Sequence, residues 1–250
     1  MLGTAAVVLL VVLTLVVTAV VRSVNNSVDP VLQDQLGPVL LIPGYGGTGA
    51  SLTPLADALR ASGRQAMVVS PVGDGTGDLG AQAEHLGEVA AQVVRDSGAP
   101  SVDVIGYSAG GVVARLWVRD HGGAALARRV LTLGSPQHGT TQAALGLEVA
   151  GRCPPACEQL VPGSDLLRRL NAGDETPAGP LWVTVRSTTD QVVTPVDSAV
   201  LDGALNLVVQ DACPGSAVSH ADLPGNPVVL AALASTLGTS APSAPAAVRC

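Results

Sequence analysis

Apolar residues along this chain alternate between two periods. Short β-branched or leucine-rich runs recur at Pro38 to Ile42, Gln65 to Ser70, Ser101 to Ile105, Arg129 to Leu133, Leu181 to Arg186 and Leu205 to Val209. Each is too short for a helix and is bounded by turn-forming or polar residues, so each predicts a buried strand. Between them the spacing changes to the helical one. Helices are predicted from Leu52 to Ala61, from a cap at Asp78 to about Asp96, after Ser108, and from Pro227 to Leu237. In the helix after Ser108, Val112, Val113, Leu116 and Trp117 share a stripe that leaves Arg115 and Arg119 outside. Strands alternating with helices predict an α/β fold, a mostly parallel central sheet flanked by helices. The stretch from Ser135 to Pro180 has weak periodicity and predicts a small cap inserted over the sheet.

One apolar run fits neither period. Leu2 to Val21 carries no charge and is long enough to span a bilayer. The first basic residue, Arg22, follows the run, and no small-x-small cleavage site is evident. Residues 1–22 therefore read as a signal peptide or an uncleaved membrane anchor, with a buried helix as the plainer alternative. Residues 23–37 read as a polar tether, 38–237 as one α/β domain with a good-sized core and 238–250 as a tail rich in Pro, Ala and Ser, both flanks poorly ordered.

Composition narrows the picture. Aromatic residues make up only 2% and phenylalanine is absent, so Val, Leu and Ala must build the core. All 13 basic residues are arginine, a bias that fits a GC-rich bacterial source. The net charge of −7 shows no basic stripe, which argues against nucleic acid as a partner. The four cysteines, Cys153, Cys157, Cys213 and Cys250, lack metal-ligand spacing and suit two disulfides in an exported chain. Three connectivities are possible. Cys153–Cys157 would clip the Pro-Pro loop between them, and Cys213–Cys250 would tie the tail to the body. A secreted or extracytoplasmic membrane-anchored protein is expected, attached, if at all, through residues 2–21, and monomeric.

Residues 106–110 read Gly-Tyr-Ser-Ala-Gly, placed between a predicted strand and a predicted helix. In that context G-x-S-x-G marks a sharp turn that presents a serine hydroxyl, here Ser108, as a nucleophile. The flanking glycines remove Cβ atoms that the turn would crowd. Gly75, Gly77 and Gly80 match a dinucleotide fingerprint, but Pro71 to Asp74 separate them from the strand, and a flexible loop before the Asp78 cap is the better reading.

A serine needs a base, and the base needs a group that fixes its tautomer. Of the four histidines, His85 and His121 fall on or at the ends of helices, and His138 follows a strand where it could line a cleft. His220 precedes the last helix, in a loop at the carboxyl edge of the sheet, and is the expected base. Asp190, on the loop after the Leu181 strand, is the expected acid, ahead of Asp197, Asp202 and Asp211. Two backbone donors should face the oxyanion. The N–H of Ala109 follows from the turn, and Tyr45 in Pro43-Gly44-Tyr45-Gly46-Gly47 is the expected second, with Gly46 behind it.

The blocks LLIPGYGGTGASLTPLADAL, GDLGAQAEHL, VDVIGYSAGGVVARLWV, VLTLGSPQHGT, STTDQVVTP and SHADLP together resemble small bacterial triacylglycerol lipases and esterases of actinobacterial type, with the α/β-hydrolase fold. The resemblance runs from about Pro38 to Leu237. It implies a Ser108–Asp190–His220 triad, an oxyanion hole at Tyr45 and Ala109, and a lipid or small acyl ester as substrate, cleaved through an acyl-enzyme without a cofactor or metal. One departure is Pro43, where that family often carries histidine. Two other readings use the same fold: an acyltransferase or thioesterase on the same triad, and an inactive hydrolase fold serving as a binding module.

Overall fold

The computed structural model describes residues 31–246 and 248–250. The apolar run Leu2 to Val21 lies outside the described residues, and among those described no helix is long and apolar enough to cross a membrane.

Six strands form one sheet: β1 (Val39–Ile42), β2 (Ala66–Val68), β3 (Val102–Tyr107), β4 (Ala127–Leu133), β5 (Leu181–Arg186) and β6 (Leu205–Val208). Their order is β2-β1-β3-β4-β5-β6 and every neighbouring pair is parallel. β1, β3 and β4 are buried along their whole length; β1 is accordingly a continuous apolar run, while β3 and β4 interrupt theirs with Asp103 and with Arg128 and Arg129. The two-residue period still divides them. Leu40, Ile42, Val104 and Val130 enter a core layer with Trp117, under the helices Leu79–Ser97 and Ala109–Asp120. Val39, Leu41, Ile105 and Leu131 enter the opposite layer, under Thr53–Ala61 and Pro227–Leu237. The chain turns from β1 outward to β2, then returns past β1 to β3. The carboxyl ends of β1 and β3 therefore flank the point where strand order reverses, the usual location of a site in an open α/β sheet.

Three features depart from the sequence reading. First, Arg115 is fully buried rather than outside the apolar stripe. Its guanidinium donates to Glu175 O (3.1 Å), Asn171 Oδ1 (2.9 Å), Gln137 Oε1 (3.2 Å) and Leu170 O (3.3 Å). Burial lowers its pKa to about 10, so it remains charged at neutral pH. All four partners lie on the cap, invisible to a local periodicity.

Second, the flanks are held. Buried Asp103, inside β3, accepts from Arg64 (2.7 Å) and Arg128 (2.5 Å). Arg64 and Arg128 also donate to Leu237 O, Arg128 to Gly238 O, and Arg129 to Thr236 O and Ser240 O. Three arginines thus satisfy the carbonyls left open where the last helix ends. Arg128 further donates to Gln33 O and Arg64 to Gly37 O, which seats the end of the tether. The tail, expected to be poorly ordered, is fixed by the Cys213–Cys250 disulfide (Cα–Cα 5.6 Å), by a Ser243 N–H to Ser235 O bond, and by Val248 against the core.

Third, the cap contains three short helices that the sequence pattern did not reveal: Thr141–Ala150, Pro155–Gln159 and Asp165–Leu170. The first has no buried residue and so no apolar stripe, while the others are shorter than two turns. Cys153 and Cys157 pair across the start of the second (Cα–Cα 5.8 Å). β6 also ends one residue early, and the helix Val209–Ala212, which carries Asp211, follows it directly.

Candidate active site

Ser108 links β3 to its following helix with φ 53° and ψ −127°, and is the only non-glycine residue at positive φ among those described. Such a conformation costs of order 1–3 kcal/mol and persists only where its surroundings impose it. They do so here. Ser108 N–H donates to Leu133 O (2.8 Å) and its carbonyl accepts from Gly111 N–H (3.0 Å). Gly106 and Gly110 permit the turn, since a Cβ on Gly106 would lie 2.5 Å from Gly111 Cα and one on Gly110 would lie 2.4 Å from Ile42 O.

Asp190 and His220 meet across the ends of β5 and β6. His220 Nδ1 lies 2.7 Å from Asp190 Oδ2, and both side chains are buried. Asp190 Oδ1 accepts from the N–H groups of Val192 (2.8 Å) and Val193 (2.9 Å). Burial pushes the Asp190 carboxyl up, but His220 and these two N–H groups outweigh it and hold the pKa below the ordinary value. An ionised carboxylate can only accept, so Nδ1 carries the proton and Nε2 of a neutral imidazole is left with its lone pair.

The loops bearing the pair are stapled together. Ser187 Oγ and Thr189 Oγ1 donate to Val218 O (2.7 and 3.0 Å), and Val218 N–H donates back to Thr189 Oγ1 (2.9 Å). A capping box between Ser219 and Asp222 then starts the short helix His220–Gly225 with His220 at its first position. Beneath the pair, a Cβ on Gly134 would come 3.1 Å from Asp190 Oδ2 and 3.2 Å from His220 Cε1. Gly134 follows Leu133, whose carbonyl holds Ser108, so all three residues collect at one sheet edge. Among the described residues no hydrogen bond joins Ser108 Oγ to His220; such bonds are often long before substrate closes the site.

The β1 loop packs against the serine: a Cβ on Gly44 would lie 2.8 Å from Ser108 Cβ. Gly46 N–H is occupied by Gly75 O (3.2 Å) and Gly47 N–H by Gly44 O (3.0 Å). The N–H groups of Tyr45 and Ala109 have no such partner among the described residues, Ala109 being the first residue of its helix. Ser108 opens into a mainly apolar cleft of about 200 Å³, lined by Tyr45, Pro136, Ala143, Leu160, Val192 and Val193 among others. His138 is turned away from it and sits 2.7 Å from Glu175 Oε1. Asp197 pairs instead with Arg186. Among the described residues no cluster of His, Cys, Asp and Glu could hold a metal.

Sequence reasoning missed the cleft lining and Tyr107. The former comes from the cap and from loops distant in sequence. The latter occupies the variable position of G-x-S-x-G, where nothing local marks it.

Comparison with known proteins agrees with this architecture. The family model described as lipase (class 2) matches residues 84–213, just over half of the chain. The chain belongs to the class 2 lipase family. Among solved structures, this class 2 lipase chain is similar to Aspergillus fumigatus lipase B, at 20% identity and TM-score 0.74, over 84% of this chain and 54% of that one. It therefore spans about half the length of that lipase. The mature form of a Bacillus licheniformis lipase matches at 16% identity and TM-score 0.68, over 85% of this chain and 94% of that one. A metagenomic carboxyl esterase matches at 17% identity and TM-score 0.53, over 68% and 62% respectively. At these identities the likeness establishes the α/β-hydrolase fold. No curated protein matches the sequence.

Proposed function

We propose that this class 2 lipase chain hydrolyses carboxylic esters of lipids or small acyl compounds through Ser108, with His220 as general base and Asp190 as the group that orients it. The observation that carries the reading is the strained Ser108 at the mouth of an apolar cleft, with the buried His220–Asp190 pair at the same sheet edge. Ser108 Oγ attacks the ester carbonyl while its proton passes to His220 Nε2. The tetrahedral oxyanion is received by the N–H groups of Tyr45 and Ala109. Collapse expels the alcohol, which takes the proton from His220, and leaves an acyl-serine. Water then repeats the sequence, releasing the carboxylic acid and restoring Ser108.

The alcohol leaves and water enters through an open cleft, so hydrolysis is favoured over transfer to a sequestered acceptor. Two disulfides support work outside the cytoplasm. Attachment through residues 2–21 belongs to the same reading and rests on the sequence alone. The test is hydrolysis of p-nitrophenyl butyrate. Ser108→Ala is expected to reduce kcat to background with an unchanged circular dichroism spectrum. Activity retained in that variant would remove the serine from the mechanism.

A further inference from the structure

Tyr107 stands one residue before Ser108 and touches His220 in two independent ways. Its ring stacks on the imidazole, with centroids 5.0 Å apart and planes at 30°. Its hydroxyl donates to the carbonyl oxygen of His220 at 3.1 Å. The side chain is only 8% exposed, and burial, followed by the charges of Asp190 and Asp222, pushes its pKa up to about 12. The hydroxyl therefore stays protonated and remains a donor at neutral pH.

We propose that Tyr107 is a positioning residue that holds the His220 imidazole in its working orientation and stabilises its protonated form. This rests on the reading of His220 as the base. The Asp190 contact fixes one ring nitrogen but leaves the ring free to tilt about that bond. The stacked phenol opposes that tilt, and the hydroxyl bond fixes the backbone from which the ring projects. When His220 takes the Ser108 proton, the imidazolium lies within cation–π range of the Tyr107 face. The groups facing the ring are the Asp190 carboxylate, the Tyr107 phenol and, two residues along, Asp222, which is engaged with Ser219. Only Tyr107 contributes through its π face. Because Tyr107 and Ser108 are consecutive, the strained turn that lifts the nucleophile also sets the plane against which its base rests.

The test compares Tyr107→Phe and Tyr107→Leu by pH profiles of kcat and kcat/KM on p-nitrophenyl butyrate, with thermal unfolding as the control for folding. Tyr107→Phe keeps the stack and loses the hydroxyl bond. It is expected to lower kcat roughly fivefold with the acidic limb of the profile unmoved. Tyr107→Leu loses both contacts. It is expected to lower kcat by about tenfold or more at nearly constant KM, and to move the acidic limb of kcat/KM to lower pH by about half a unit. Should the leucine variant fail to fold, the phenylalanine variant decides, and an unchanged kcat there overturns the proposal. A leucine variant that unfolds earlier yet keeps kcat and limb also overturns it, since the residue would then be structural only. His220→Ala separates this from the underlying reading. If it retains activity, His220 is not the base and both fail. If it is inactive while Tyr107→Leu and Tyr107→Phe are silent, only the positioning role is lost.

Discussion

Asp190→Asn is the most informative change at the histidine. In the native protein Oδ1 is held by the Val192 and Val193 N–H groups and Oδ2 faces His220 Nδ1 at 2.7 Å. An asparagine amide has one acceptor oxygen, and the two backbone donors claim it. Its NH₂ then faces His220. The imidazole answers by adopting the opposite tautomer, Nδ1 accepting and Nε2 protonated, which cannot take a proton from Ser108. To act, the ring must return to the Nδ1–H form, setting two donors face to face in a buried site. That loses a charge-assisted hydrogen bond, about 1.5–3 kcal/mol, and leaves a buried donor unpaired, about 1–3 kcal/mol. The two together correspond to a loss of roughly a hundred- to ten-thousand-fold in kcat. The assay is the kcat of p-nitrophenyl butyrate hydrolysis at neutral pH, with KM and thermal unfolding measured alongside. A kcat within tenfold of wild type, in a folded variant, would refute the assignment of Asp190 and the tautomer argument with it.

Other outcomes follow from the same contacts. Native Asp190 titrates below the 3.8 of an unfolded aspartate, so its carboxylate contributes stability above that pH which is lost as pH falls through the native value. Urea midpoints of wild type and Asp190→Asn should accordingly converge on acidification below about pH 4; a constant gap would contradict this. Gly134→Ala forces a side chain at φ 51° against Asp190 and His220 and should lower kcat by more than about tenfold, read by the same ester assay. Asp103→Asn leaves the fully buried Arg128 without its counter-ion and should cost about 3–5 kcal/mol in urea unfolding, with kcat nearly unchanged in what remains folded. Ser108→Gly removes the Cβ that makes the positive-φ turn costly, whereas Ser108→Ala retains it, so the glycine variant should be the more heat-stable of the two inactive variants.

The parts of this molecule legible in its sequence are those where one period governs a contiguous segment. β5 at Leu181–Arg186 and the helix Pro227–Leu237 have the ends their sequences indicate, and Asp78 caps its helix by accepting from Ala81 N–H. The turn at Ser108 was legible because its motif needs a strand before it and a helix after it, and both are present. Arg115 and Asp103 were not. Each looks like a surface charge or an anomaly until partners 22 to 60 residues away are known. The cap was opaque for the opposite reason: its first helix buries nothing, so it carries no stripe, and its disulfide does part of the work of a core. Tyr107 was hidden in plain sequence, since its role depends on a ring 113 residues away.

The central claim is that Ser108 is a nucleophile activated within this fold. Labelling the full chain with a fluorophosphonate probe, followed by peptide mass mapping, tests it most directly. The account predicts a single adduct on the peptide containing Ser108, absent in Ser108→Ala and strongly slowed in His220→Ala. No adduct on the folded wild type, or an adduct on another serine that survives Ser108→Ala, would contradict it.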